Sequence, residues 1–484
     1  MLLFLRACLC DVFRTYKKII PFSIAGFVWC GFADAQANGA VKVWLTTADR
    51  SALFQLQQQT LPFTKNAGSN VVIKVDDKEK FQGIDGFGFA LTQGSAMPII
   101  RMSKSARAML LKNLFDTTGN AIGISYIRLT IGSSDLNEKV FSYDDVAGDT
   151  SLAHFDLGPD HADVIPVMKE ILSINPKIKI LGSPWSPPAW MKTNSDTRGG
   201  RLQERYYGVY ARYFVKYIQQ MKAQGIRIDA ITVQNEPLHP GNNPSLLLTA
   251  PEEAEFIKHH LGPAFKKAGI TTKILIYDHN ADRPDYPIYI LDDKQANAYV
   301  DGSAFHLYGG EVQALSDVHD AHPDKNIYFT EQMVVQFEKP GDVNYPGLKV
   351  AEPVSWLFIG VLRNWSRNVL EWNLAANSQF TPYTDRGGCD VCQGAVSVDG
   401  DTITKNLAYY AMAHFSKLVR PGAVRIASGE VDNLPNVAFK TTDGSKVLVV
   451  ANTGNQTKNF SIQFAGKSAE ASLQAGSVAT YYWK

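Results

Sequence analysis

Residues 229–237 read DAITVQNEP. Ile231 and Val233 alternate as in a β-strand, and the run stops at Asn235, Glu236 and Pro237, a carboxylate where a buried strand gives way to a loop. A charge left unpaired in a core is costly, so the pattern places Glu236 at the strand's open end, facing a cavity. Residues 326–332, NIYFTEQ, repeat the grammar: a short apolar strand ending in Glu331. Two carboxylates on two strand ends are what hydrolysis of a glycosidic bond needs. One protonates the leaving oxygen and the other acts as nucleophile or base across the sugar.

Outward from these two stretches the chain keeps the same rhythm. Short apolar segments at 84–91 (IDGFGFAL), 124–132 (ISYIRLTIG), 179–186 (KILGSPWS), 229–237, 273–280 (KILIYDHN), 301–308 (DGSAFHLY), 326–332 and 368–375 (NVLEWNLA) alternate with amphipathic runs such as 103–115, 164–174, 206–224 and 251–268. Eight strand and helix units over roughly 330 residues predict an α/β fold, a (β/α)8 TIM barrel covering 81–417. Polar side chains collect at the C-terminal ends of its strands: Arg128, Trp185, Asn235, Glu236, Asp278, His279, Asn280, His306, Glu331, Glu371, Trp372 and Asn373. That rim is where barrels of this kind build their sites. Residues 41–45 and 70–75 before the barrel, and 423–428, 436–442, 446–453, 459–464 and 477–483 after it, alternate with period two. One small all-β sandwich assembled from both chain termini, 38–80 with 418–484, is the simplest arrangement.

The 484 residues are 45% hydrophobic, 11% aromatic and 20% charged, with a formal net charge of +1. This balance gives no electrostatic footprint for nucleic acid or an anionic membrane, and a neutral substrate is expected. Arg14, Lys17 and Lys18 precede an apolar run and then small residues around Ala33, so residues 1–37 read as a signal peptide. No other stretch approaches 18 uninterrupted apolar residues; a secreted or periplasmic protein without a stable membrane span is expected. Cys8, Cys10 and Cys30 would leave with that leader. The remaining pair, Cys389 and Cys392, reads as a local disulfide rather than a metal or redox motif.

Glu236 would need a raised pKa to carry a proton, which burial against Trp185 or Trp190 would supply, whereas Glu331 would stay ionised beside Arg128. Other motifs are weak. Gly86-Phe87-Gly88 starts like a dinucleotide fingerprint, but Leu91 occupies the place of the third glycine. His259 and His260 are helical neighbours that point apart, which disfavours shared metal ligation. No G-x-S-x-G elbow occurs, which weighs against a serine esterase.

Taken in order, GFGFALTQGSA, YIRLTIGSSDL, LGSPWSPPAWMKTN, VQNEP, AFHLY, FTEQ, EWNLA and AHFSKLVRPGA make the chain resemble glycoside hydrolase family 30, the glucosylceramidase family. The resemblance implies a (β/α)8 barrel with a β-sandwich from both termini, retention of anomeric configuration, and no metal or organic cofactor. By motif, Glu236 matches the acid/base and Glu331 the nucleophile. Asn235 matches the contact to the sugar 2-hydroxyl, and Asp135, Trp185 and Trp372 match residues that hold the innermost sugar. Arg128 and Tyr308 match neighbours of the nucleophile. Leu136 and Leu307 depart from the human family member, which carries aromatics at these two positions, where the resemblance implies that they shape the entrance and aglycone side. The loop 387–394 departs as well, so no role is carried onto it.

The implied substrate is a β-glucoside, glycolipid or glucan. A glucosylceramidase-like activity stands first and a β-1,6-glucanase is its rival, with an exo-acting β-glucosidase or β-xylosidase behind. A catalytically silent sugar-binding protein is the alternative of another class. Retention predicts a carboxyl separation of about 5–5.5 Å between Glu236 and Glu331.

Overall fold

The computed structural model describes residues 39–65, 68–336 and 347–484; the leader expected at 1–37 lies outside them. Among the described residues no helix is long and apolar enough to cross a membrane.

Eight parallel strands form the central sheet: β1 (Gly86–Leu91), β2 (Tyr126–Thr130), β3 (Lys179–Ser183), β4 (Ala230–Thr232), β5 (Lys273–Ala281), β6 (Val300–Gly310), β7 (Asn326–Glu331) and β8 (Asn368–Glu371). Their order is β7-β6-β5-β4-β3-β2-β1-β8. The last gap is drawn together by Arg367 N–H to Ile327 O at 2.9 Å and Trp372 N–H to Gln332 O at 2.9 Å, so the sheet is a nearly closed barrel. Gly88 permits the approach of β1 to β2, since a Cβ there would meet Tyr126 O at 1.8 Å. The Gly-Phe-Gly run is thus a packing device.

The helices are those of an α/β barrel. Ser103 caps Lys104–Phe115 by accepting from Ala106 N–H, and Val164–Ile174 and Tyr207–Ala223 bury their apolar faces on the strands. The run expected at 251–268 is continuous but passes through a wider turn at Ile257–Leu261, which carries His259 and His260.

Strands from both ends of the chain make the second layer. Its order runs through Lys467–Leu473, Lys458–Phe464, Val72–Gly83, Val424–Ser428, Asn436–Lys440, Lys446–Ala451, Val478–Trp483, Lys42–Thr46 and Gln55–Leu56. Val72–Gly83 belongs to both faces: one part pairs in parallel with Lys458–Phe464 and the rest antiparallel with Val424–Ser428. Val41, Ile73, Ile426, Leu448, Ile462 and Trp483 share its core.

Candidate active site

The barrel interior is built in layers that follow the two-residue period of its strands. Tyr126, Leu181, Ala230, Leu275, Ala304, Tyr328 and Leu370 form an apolar plug. Two residues further along the strands come Arg128, Ser183, Thr232, His306, Thr330 and Trp372. On β5 the register shifts after Tyr277, where Tyr277 and Asp278 both have positive φ, and this turns Asp278 inward. A second shift between Phe329 and Glu331 brings Glu331 inward directly after Thr330.

Arg128 is the hub of the polar layer. Its guanidinium donates to Asp278 Oδ2 at 2.8 Å, to Asn235 Oδ1 at 2.7 Å, to Glu331 Oε2 at 2.5 Å and to Ser183 Oγ at 3.2 Å. His306 reaches Asp278 Oδ1 through Nε2 at 3.1 Å and Glu236 Oε1 through Nδ1 at 3.2 Å, with Glu331 Oε1 3.9 Å from Nδ1. Thr232 and Thr330 donate to Asp278 at 2.7 and 2.6 Å. Tyr308 donates to Glu331 Oε1 at 3.1 Å. Glu236 is fixed by its own N–H to Asp278 O at 2.9 Å. A carboxylate oxygen of Glu236 and one of Glu331 lie within 4.8 Å of each other.

This network decides who holds protons. Burial lowers the His306 pKa, but the charge of Glu331 and the hydrogen bonds to Asp278 and Glu236 prevail and lift it to about 9, so both ring nitrogens donate. Asp278 is held below the ordinary carboxylate range, because Arg128 and His306 outweigh its burial. Burial followed by the Glu331 charge pushes Asp135 up to about 8.

The two glutamates are driven apart. At Glu236 burial is outweighed by the hydrogen bond and charge of His306, and the pKa falls; at Glu331 burial outweighs His306 and Arg128, and the pKa rises. This corrects the order expected from the sequence. At Glu236 the His306 hydrogen bond at 3.2 Å and its charge offset burial, whereas at Glu331 the charges of Glu236 and Asp278 add to burial against His306 and Arg128.

Above this floor opens a cavity of about 310 Å³. It is lined by Asp135, Trp185, Asn235, Glu236, Tyr308, Glu331, Trp372, Cys389 and Cys392, by Asn280, which the sequence placed at a strand end without a role, and by His239, Asn242 and Met333, which the sequence did not single out. Trp185 and Trp372 face one another with ring centroids 5.4 Å apart, and Arg128 sits 4.9 Å from the Trp185 ring. With its Oδ1 taken by Arg128, Asn235 has its NH2 group left for a sugar hydroxyl. The Cys389–Cys392 disulfide is formed, and its loop is tied to the β2 loop by Thr384 N–H to Asp135 O at 2.9 Å.

Three expectations are revised. Trp190 does not line this cavity; its Nε1 donates to Asp144 O at 2.8 Å and its ring lines a neighbouring one. Leu136 is buried against Trp185 and Trp372, and Leu307 packs on the main core, so neither lines the cavity. Glu371 lies outside the cavity, buried with neither oxygen hydrogen-bonded among the described residues, and burial holds its pKa well above the usual value. Asp278 and His306 stood in the sequence as polar strand ends without a role; the available signal was a charge or imidazole inside an otherwise apolar strand.

Residues 84–419 match the glycosyl hydrolase family 30 TIM-barrel domain, and residues 422–481 match the glycosyl hydrolase family 30 beta sandwich domain. An endo-1,6-beta-D-glucanase of Neurospora crassa is 37% identical, covering 81% of this chain and 84% of that protein. A putative glucosylceramidase 2 of Caenorhabditis elegans is 32% identical, over 78% of this chain and 76% of its own. The solved structure of an endo-beta1,6-glucanase superposes with a TM-score of 0.85 at 33% identity, covering 92% of this chain and 99% of that one.

Proposed function

Because this chain belongs to glycosyl hydrolase family 30 and is a glycoside hydrolase, we propose that its substrate is a β-1,6-linked glucan, cleaved within the chain with retention of configuration. One observation carries the chemistry: the carboxylate oxygens of Glu236 and Glu331 come within 4.8 Å at one cavity. That suits the about 5–5.5 Å carboxyl spacing of retaining enzymes better than the about 6.5–9.5 Å of inverting ones. The linkage rests on likeness, since relatives named endo-1,6-glucanases reach 37% identity and a 0.85 TM-score. The glucosylceramidase reading keeps weaker support from the 32% identical nematode protein.

In the first step Glu331 attacks the anomeric carbon as Glu236 gives its proton to the departing glycosidic oxygen. The product is a glycosyl ester on Glu331. Glu236, now ionised, takes a proton from water, which attacks the same carbon and releases the sugar with its original configuration. Arg128 and Tyr308 donate to the two oxygens of Glu331 and orient it for attack.

The deciding experiment assays purified protein on β-1,6-glucan and on glucosylceramide side by side, with the anomer of the first product read by NMR. Oligosaccharides of mixed length with the β anomer first are expected. Turnover of glucosylceramide alone, or α product first, would overturn the substrate or the mechanism respectively.

A further inference from the structure

Next to the catalytic cavity lies a larger one of about 720 Å³, formed by the loops that follow β2, β3 and β4. The two share a ridge of chain. Trp185 lines the first and Ser186 the second; Asn242 lines the first and Pro244 the second. Nothing in the two-carboxylate chemistry uses this second space. Its lining suits a neutral, hydroxyl-rich ligand: the rings of Phe141, Trp190 and Tyr206 stand among Asp145, Ser186 and Thr197.

The rings are held in place. Trp190 spends its only donor on Asp144 O and meets Tyr206 edge to face with centroids 5.1 Å apart, so apolar surface is what it can offer a ligand. The opposite wall is braced from within. Lys192, fully buried, donates its Nζ to Thr197 O at 2.8 Å and to Ser245 O at 2.7 Å, and Thr197 Oγ1 donates to Asn243 Oδ1 at 2.7 Å. A preformed cavity beside the reacting one, on the same barrel face, lies within reach of a second part of a long substrate.

We propose that this cavity is a distal glucosyl-binding subsite, which grips a sugar of the same β-linked glucan chain whose scissile bond lies between Glu236 and Glu331. The inference rests on the glucan reading above. It makes chain length a determinant of rate, because binding energy gained here is available to position the bond under attack. An aryl β-glucoside, with a single sugar, fills the first cavity only.

Wild type, Trp190→Ala, Trp190→Phe and Tyr206→Ala proteins are assayed on β-1,6-linked gluco-oligosaccharides of increasing length and on an aryl β-glucoside. In wild type kcat/KM climbs with length. In Trp190→Ala and Tyr206→Ala the climb is lost, so kcat/KM on the long glucan falls about tenfold relative to the aryl glucoside, and Trp190→Phe retains part of it. An unchanged ratio in these variants overturns the subsite while leaving the β-1,6-glucan assignment standing. An equal fall on both substrates marks a purely structural role and overturns it too. Wild type that leaves β-1,6-glucan intact overturns the substrate assignment and the subsite together.

Discussion

Glu236 adopts a φ of +44°, a region that a non-glycine residue occupies only when its surroundings hold it there. The bond from its own N–H to Asp278 O and the His306 contact do so. Replacing the proton donor by Glu236→Gln is expected to lower kcat on glucan by about 10²–10⁴-fold, and much less on an aryl glucoside whose leaving group needs no proton. Glu331→Gln removes the nucleophile and should abolish turnover of both, which steady-state kinetics on the two substrates will read. The pH profile follows from the spread of the pair. The lower limb of kcat/KM falls below the usual glutamate range, where His306 holds Glu236, and the upper limb above it, where burial holds Glu331. Asp135, protonated up to about pH 8, can donate to a sugar hydroxyl until it ionises. Wild-type KM should therefore rise above that pH, and the KM of Asp135→Asn should not. Glu236 and Glu331 were legible because each ends an apolar run. His306 and Asp278 gain meaning only through one another, across strands, and no one-dimensional pattern records that.

At the scale of elements the strands were the readable part, and register was not. Alternation along β5 sends Tyr277 inward, whereas the shift in that strand delivers Asp278. Helices with clear caps and stripes, such as Val164–Ile174, could be placed from sequence to within a residue or so. Lys467–Leu473 escaped notice because its buried positions are Ser468, Ala469, Ala471 and Leu473, too small to make an apolar signature. Inside the helix Ala250–Phe256, buried Glu253 accepts from Tyr286 Oη at 2.8 Å, yet burial pushes its pKa up from 4.5 to about 8. The folded state thus holds a proton that the unfolded chain has released between about pH 4.5 and 8. The stabilisation is full below that window and lost as pH rises through it. Glu253→Gln should flatten this decline, seen as a melting temperature that falls less than wild type from the acid to the alkaline end. The loop closed by Cys389–Cys392 walls the cavity, and replacing both cysteines by serine should raise KM for glucosides without abolishing turnover.

Over the whole molecule, barrel and sandwich are joined by an imidazole. His414, on the helix Leu407–Ser416, is fully buried between Thr46 and Thr480, each 2.8 Å from a ring nitrogen. Thr480 gives its hydroxyl proton to His414 O at 3.0 Å, so Nδ1 must donate to Thr480 and bare Nε2 accepts from Thr46. Burial lowers the ring's pKa from 6.5 to about 3. Its contribution to stability is present above about pH 6.5 and lost as pH falls towards 3, because the unfolded chain takes up the proton first. Denaturant titrations across that window should show the loss in wild type and less of it in His414→Gln. The composite sandwich could be inferred because period-two segments flank the barrel on both sides. This bridge could not, since Thr46 lies 368 positions from His414 and Thr480 a further 66.

Lys42–Thr46 runs antiparallel to Val478–Trp483, with Lys42 opposite Tyr482. The outermost strands of the described residues near each end of the polypeptide are therefore immediate neighbours, and a short flexible splice could connect them without stretching either strand. A circularly permuted gene, reopened at an exposed turn such as the one around Gly400, should yield a protein of unchanged turnover.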